Sequence, residues 1–157
     1  MFKNILYFIL SLLIVFLVAF VGSSFTTKSI VNWYRFLKKP SFAPPNWLFA
    51  PAWSLLYLLM AIAAFLIWQQ RGAFVVKTAL IFYLIQLILN ALWSIIFFGW
   101  RKPGLAFFEI IFLWIFILLT LIKFYQVNKT AGLLLLPYLL WVTFASVLNL
   151  SIWLLNL

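Results

Sequence analysis

The chain of 157 residues is 69% hydrophobic and 8% charged, whereas soluble domains carry about a quarter charged residues, so its surface is not built for water. Eleven Lys and Arg stand against one acid, Glu109, for a net charge of +10, and Cys and His are both absent. This inventory excludes disulfides, thiol chemistry, zinc sites, His-ligated haem and any two-carboxylate acid–base mechanism, leaving rings, amides, hydroxyls and backbone to act.

A spanning helix needs about 20 apolar residues to cross about 30 Å of hydrocarbon. Five segments qualify, predicting an all-α integral membrane protein: one bundle of five transmembrane helices over residues 1–157. The first runs over 5–25. Lys3 followed by an apolar run ending at Gly22-Ser23-Ser24 also has the outline of a signal peptide. The run exceeds the 7–15 residues of a signal core, which favours a retained helix.

The next segment, 26–46, is too long for a plain link and holds Pro40, Pro44 and Pro45 with Trp33, Tyr34, Phe36 and Phe42. Loops beyond about 12–15 residues are often lids or binding loops. It is read as a folded lid over one mouth of the bundle, the alternative being a loop lying on the headgroups. The remaining spans are 47–68, 78–100, 104–122 and 130–155. Their links, 69–72, 101–103 and 126–129, are short and basic, which sets neighbouring helices antiparallel.

The cations are scattered between apolar runs, as interfacial anchors and topology signals are, and form no stripe for nucleic acid. Lys28, Arg35, Lys38, Lys39, Arg101 and Lys102 fall on one side, with Lys3, Arg71, Lys77, Lys123 and Lys129 on the other. That near balance fixes no orientation, though an odd number of spans puts the termini on opposite sides. No internal repeat of the kind found in transporters is visible.

Trp47, Trp68, Trp100 and Trp153 sit at span ends, where Trp anchors to the interface. Trp53, Trp93, Trp114 and Trp141 lie deeper. Gln86, Asn90, Trp93 and Phe97 share one stripe of the third helix, and Pro137, Trp141, Ala145 and Asn149 one stripe of the fifth. Trp53 and Tyr57 make a matching pair on the second. A rise of 1.5 Å per residue puts Trp53 and Trp93 roughly 9–10 Å below the long-loop face, with Asn90 and Ala145 about 15 Å down.

Amides facing lipid would go unpaired, so Gln86, Asn90 and Asn149 should point into the bundle. Two arrangements satisfy this: an aromatic pocket with a few orienting polar groups, or amides bonding across helices while the rings fill the core. Spacing alone leaves both open. Glu109 is expected to snorkel towards Arg101 or Lys102, with burial in the bundle or at a dimer contact as the alternative.

The run Trp33-Tyr34, then Lys39-Pro40-Ser41-Phe42-Ala43-Pro44-Pro45-Asn46-Trp47-Leu48-Phe49 and Trp53, resembles the first-loop signature of the TspO/MBR family. The block Gln86, Asn90-Ala91-Leu92-Trp93-Ser94 and Phe97-Phe98 agrees, as does Pro137-Tyr138-Leu139-Leu140-Trp141 with Phe144-Ala145 and Leu148-Asn149. The resemblance implies a five-helix bundle, often a homodimer, in a bacterial cell membrane. Its first loop would cap a pocket for tetrapyrroles such as protoporphyrin IX. Positions matching the family's pocket are Tyr34, Pro44, Trp53, Tyr57, Gln86, Asn90, Trp93, Trp141 and Ala145.

The resemblance implies no cofactor and no metal. Beyond lipid and the porphyrin-like ligand, sterol is not expected, because residues 146–157 lack the Tyr followed by Lys or Arg of the sterol pattern. Three activities follow as expectations: a membrane receptor and sensor, a light-dependent porphyrin-degrading enzyme using Trp53 and Trp141, or a transporter. The first is preferred, since no acid, base, metal or repeat assists the others.

Overall fold

The computed structural model describes residues 2–70 and 74–157, without the side chains of Phe2 and Lys3. Arg71 and Gly72 of the expected second link, and the Lys3 side chain, lie outside the described residues. Among those described, all regular structure is helical: α1 (Phe2–Asn32), α2 (Phe49–Gln69), α3 (Phe74–Ser94), α4 (Pro103–Val127), α5 (Lys129–Leu134) and α6 (Leu136–Leu155). Five stretches are long and apolar enough to cross a membrane, the fifth being α5 and α6 together. The protein is a multi-pass integral membrane protein.

The helix bounds depart from expectation in three informative places. The loop expected to begin at residue 26 begins only after α1 ends at Asn32. The Thr26 and Thr27 hydroxyls donate to the Gly22 and Ser23 carbonyls one turn back, so these polar residues are satisfied without leaving the helix. With a length of about 46 Å, α1 outruns the hydrocarbon and lifts its last turns into the headgroup zone.

The fifth span is broken between α5 and α6 at Leu135. Pro137 just beyond has no N–H to bond backwards, and its ring crowds the preceding turn. The restart is clean at the other end, where the Asn128 side chain caps α5 by accepting from the Ala131 N–H at 3.0 Å.

The third span ends in a π-helical turn, Ile95–Gly99, closed by Trp100 N–H donating to the Ile95 carbonyl at 2.8 Å. The extra residue in that turn changes which side chains face inward. Phe97 and Phe98 both reach Tyr34, with ring centroids 6.2 and 5.8 Å away. The chain then reverses through Arg101 at φ 56°.

Neighbouring spans close a ring. α1 packs on α2, α2 on α5, α6 on α4, α4 on α3, and α3 back on α1. Contact between α2 and the fifth span is concentrated at α5, on the face away from the lid; towards the lid α2 and α6 draw apart. Tyr7 against Trp68 and Phe8 against Phe65, at 5.5 and 5.4 Å, tie α1 to α2 at that same far face. The bundle is therefore solid in one half and hollow in the other.

Candidate ligand cavity

The hollow half holds a cavity of about 700 Å³, within the 300–1,000 Å³ usual for small-molecule sites. Phe20, Ser23 and Thr26 of α1 form one wall, and Trp53 and Tyr57 of α2 the next. Trp93 and Phe97 from the third span and Trp141, Ala145 and Asn149 from α6 complete it. Tyr34 comes down from the segment between α1 and α2.

That segment lies on the bundle through rings. Tyr34 is 3% exposed, packed edge-on to Phe49 at 6.4 Å, and Phe42 meets Phe144 at 6.3 Å. Its hydrogen bonds to distant parts of the described chain all run to Asn156. The Lys38 N–H donates to Asn156 Oδ1 at 3.0 Å, and Asn156 Nδ2 donates to the Lys38 carbonyl at 2.9 Å. Asn156 Nδ2 also reaches the Ile152 carbonyl at 2.7 Å, which fixes the amide's orientation. Tyr34 lies outside the spans, and burial pushes its phenol up to about 12, so at neutral pH it is a hydrogen-bond donor.

Of the nine residues expected at the pocket, six come together there: Tyr34, Trp53, Tyr57, Trp93, Trp141 and Ala145. Asn90 stands behind the wall. It accepts from Tyr57 Oη at 2.8 Å and donates through Nδ2 to Tyr138 Oη at 2.9 Å, joining three spans. Gln86 lies away from the cavity, 1% exposed, and neither amide atom has a hydrogen-bond partner among the described residues. Pro44 lines a separate groove between α2 and α6.

For two of the three amides the cross-helix reading holds, while rings make up most of the cavity wall. Asn90 and Asn149 bond across helices, Asn149 accepting from Trp93 Nε1 at 3.0 Å and donating to the Pro103 carbonyl at 2.7 Å. Those bonds lock the rings that form the wall. Trp53 and Trp141, by contrast, have no hydrogen-bond partner for their indole N–H among the described residues. Trp114 is no part of the cavity; its indole donates to Thr143 Oγ1 at 2.8 Å.

Glu109 corrects the snorkelling expectation. It is 8% exposed, and neither carboxylate oxygen has a hydrogen-bond partner among the described residues. It lies on the α4 stripe Ala106, Ile110, Leu113 and Ile117, all buried. That stripe points into the bundle and holds Glu109 away from the interfacial cations. Sequence reasoning missed Phe49, Phe20, Ser23 and Asn156. The first three needed only the hydrophobic pattern plus a knowledge of which helices diverge; Asn156 offered no signal.

An α-helical membrane protein with an aromatic intramembrane cavity under a latched segment is the class this arrangement defines. The chain matches the TspO/MBR family over residues 11–154. It is 46% identical over 153 residues to the tryptophan-rich protein TspO of Archaeoglobus fulgidus, covering 98% of this chain and 99% of that one. It is 39% identical over 142 residues to the tryptophan-rich sensory protein of Cereibacter sphaeroides, covering 88% and 87%. The human translocator protein is 39% identical over 136 residues, covering 85% and 80%. The chain belongs to the TspO/MBR family.

Proposed function

We propose that the protein is a membrane receptor and sensor for flat, apolar ligands of the porphyrin type, with protoporphyrin IX as the representative. The observation that carries this reading is the cavity wall: Trp53, Tyr57, Trp93 and Trp141 all line one hollow of about 700 Å³. A planar macrocycle gains contact area and offset stacking against such rings. The indole donors of Trp53 and Trp141, with the Tyr34 phenol above them, suit acceptor groups at the ligand's edge. The names of the relatives, a sensory protein and a translocator protein, fit a ligand-responsive role.

Within this reading Tyr34, Trp53, Tyr57, Trp93, Trp141 and Ala145 touch the ligand, and Asn90 holds Tyr57 in place. Titration with protoporphyrin should quench tryptophan emission saturably. Trp53→Phe combined with Trp141→Phe should weaken binding about tenfold or more, because two stacked rings and two donors are removed together. Unchanged quenching in that double variant defeats the assignment. The same two indoles are oxidisable and would lie against the chromophore, which favours light-driven porphyrin breakdown as a second reading. Illuminating the complex separates the two: absorbance lost no faster than from free porphyrin in detergent leaves binding alone.

A further inference from the structure

A second hollow lies where α2 and α6 draw apart, on the outer side of the cavity wall. It is a groove of about 520 Å³. Trp141 belongs to both hollows, so one indole separates the cavity from the groove. That ring is held edge-on to Phe49 at 6.2 Å and tilted against Phe144 at 5.8 Å. Apart from Trp141 the groove lining is all Leu, Ala, Pro and Phe.

The groove's shape and depth select its occupant. On the α2 side it descends from Leu48 to Leu56, about 12 Å along a helix rising 1.5 Å per residue. On the α6 side it runs from Pro137 to Phe144, about 10 Å. It is thus a slot along the membrane normal, not a pocket across it. Trp47, 71% exposed beside its upper end, marks the headgroup level. The segment whose Pro44 lines the groove also carries Arg35, Lys38 and Lys39, and the chain's one acid, Glu109, is buried on α4.

We propose that this groove is a phospholipid site: one acyl chain lies in the slot against the back of Trp141, with the phosphate among the lid cations. A macrocycle would find little to orient it, since eight of the nine lining residues are Leu, Ala, Pro or Phe. A hydrocarbon chain needs none, and enters from the surrounding bilayer. The site stands independently of the porphyrin reading. Its consequence for that reading is that the bound chain braces the Trp141 ring from behind and so tightens whatever stacks on its front.

Bromine on phospholipid acyl chains quenches the tryptophans the chains touch, and nanodiscs of chain-brominated phosphatidylcholine therefore report the site. Trp141 should contribute a quenched component that Trp141→Phe removes. Filling the slot by Ala52→Phe, or from the α6 side by Leu140→Phe, should remove the same component, with no further loss when either is combined with Trp141→Phe. Quenching unchanged in both filled variants overturns the proposal. So does disulfide capture of Leu140→Cys by its counterpart in a second copy, a clean test in a chain with no other cysteine.

Protoporphyrin reads the bracing. Its Kd for the wild type should weaken several-fold on moving from nanodiscs to a short-chain detergent, and the Ala52→Phe protein should be insensitive to that exchange. Equal weakening in both breaks the link between groove and cavity. A protein that binds no protoporphyrin sinks the porphyrin reading, while the bromine experiment still decides the groove.

Discussion

Single residues divide into those that form the wall and those that hold it, and spacing told only part of this. Trp53 with Tyr57, and Trp141 with Ala145, fall four apart on faces that do meet the cavity. The same rule put Gln86 with Asn90 and Trp93, but a stripe gives a direction around a helix and says nothing about what stands opposite at each level. Near the lid α3 looks into a hollow; deeper down it looks into packed core. Gln86 is accordingly a buried amide without partners, and Gln86→Leu should raise stability by about 1–3 kcal/mol by removing an unsatisfied group. Thermal unfolding in detergent checks the gain, and protoporphyrin quenching should be unaltered.

The Tyr34 phenol gives a pH signature. Its folded value of about 12 exceeds the ordinary 10.0, so the unfolded chain releases this proton first as pH rises. The stability contributed by Tyr34 is intact below pH 10 and is lost progressively as pH climbs to about 12. Alkaline unfolding of Tyr34→Phe should lack that part of the decline. Curves that superimpose between the two proteins would mean that Tyr34 ionises freely in the folded state.

At the scale of elements, run length sufficed to count the spans, because hydrocarbon thickness sets the length of every crossing helix. It could not locate their ends. Helical hydrogen bonding carries α1 past the apolar run to Asn32, and the π-helical turn at Ile95–Gly99 depends on how Phe97 and Phe98 pack beneath the lid. No local pattern encodes such a turn. Its exit is strained at Arg101, whose φ of 56° is adopted readily by glycine and reluctantly by other residues. Arg101→Gly should stabilise the protein by up to about 1 kcal/mol, the relief of a left-handed conformation less the added freedom of the unfolded chain. A lower melting temperature would show that the Arg101 side chain contributes more than its backbone costs.

Across the whole molecule, the ring of spans explains why a cavity exists. A bundle tied at one face by α5 and by the Tyr7–Trp68 and Phe8–Phe65 contacts is free to splay at the other. Sequence could reveal the inward aromatics but not this asymmetry, which arises from which helices are neighbours. The segment between α1 and α2 lies at the splayed end, where Tyr34 lines the cavity, and Asn156 ties it down. Asn156→Ala should hasten hydrogen exchange in residues 33–45 several-fold and speed protoporphyrin release, leaving the far half of the bundle protected. Uniform exchange across the chain would instead mark Asn156 as an ordinary stabilising residue.

The Lys38–Asn156 clamp joins residues 118 apart in sequence. Chains emerge from the ribosome N-terminus first, so the lid segment is made early and waits, unlatched, through the synthesis of four further spans. The clamp can form only once the fifth span has been inserted and residue 156 has reached the membrane surface. Without Asn156 the segment keeps its ring contacts, Tyr34 on Phe49 and Phe42 on Phe144, but lacks this clamp.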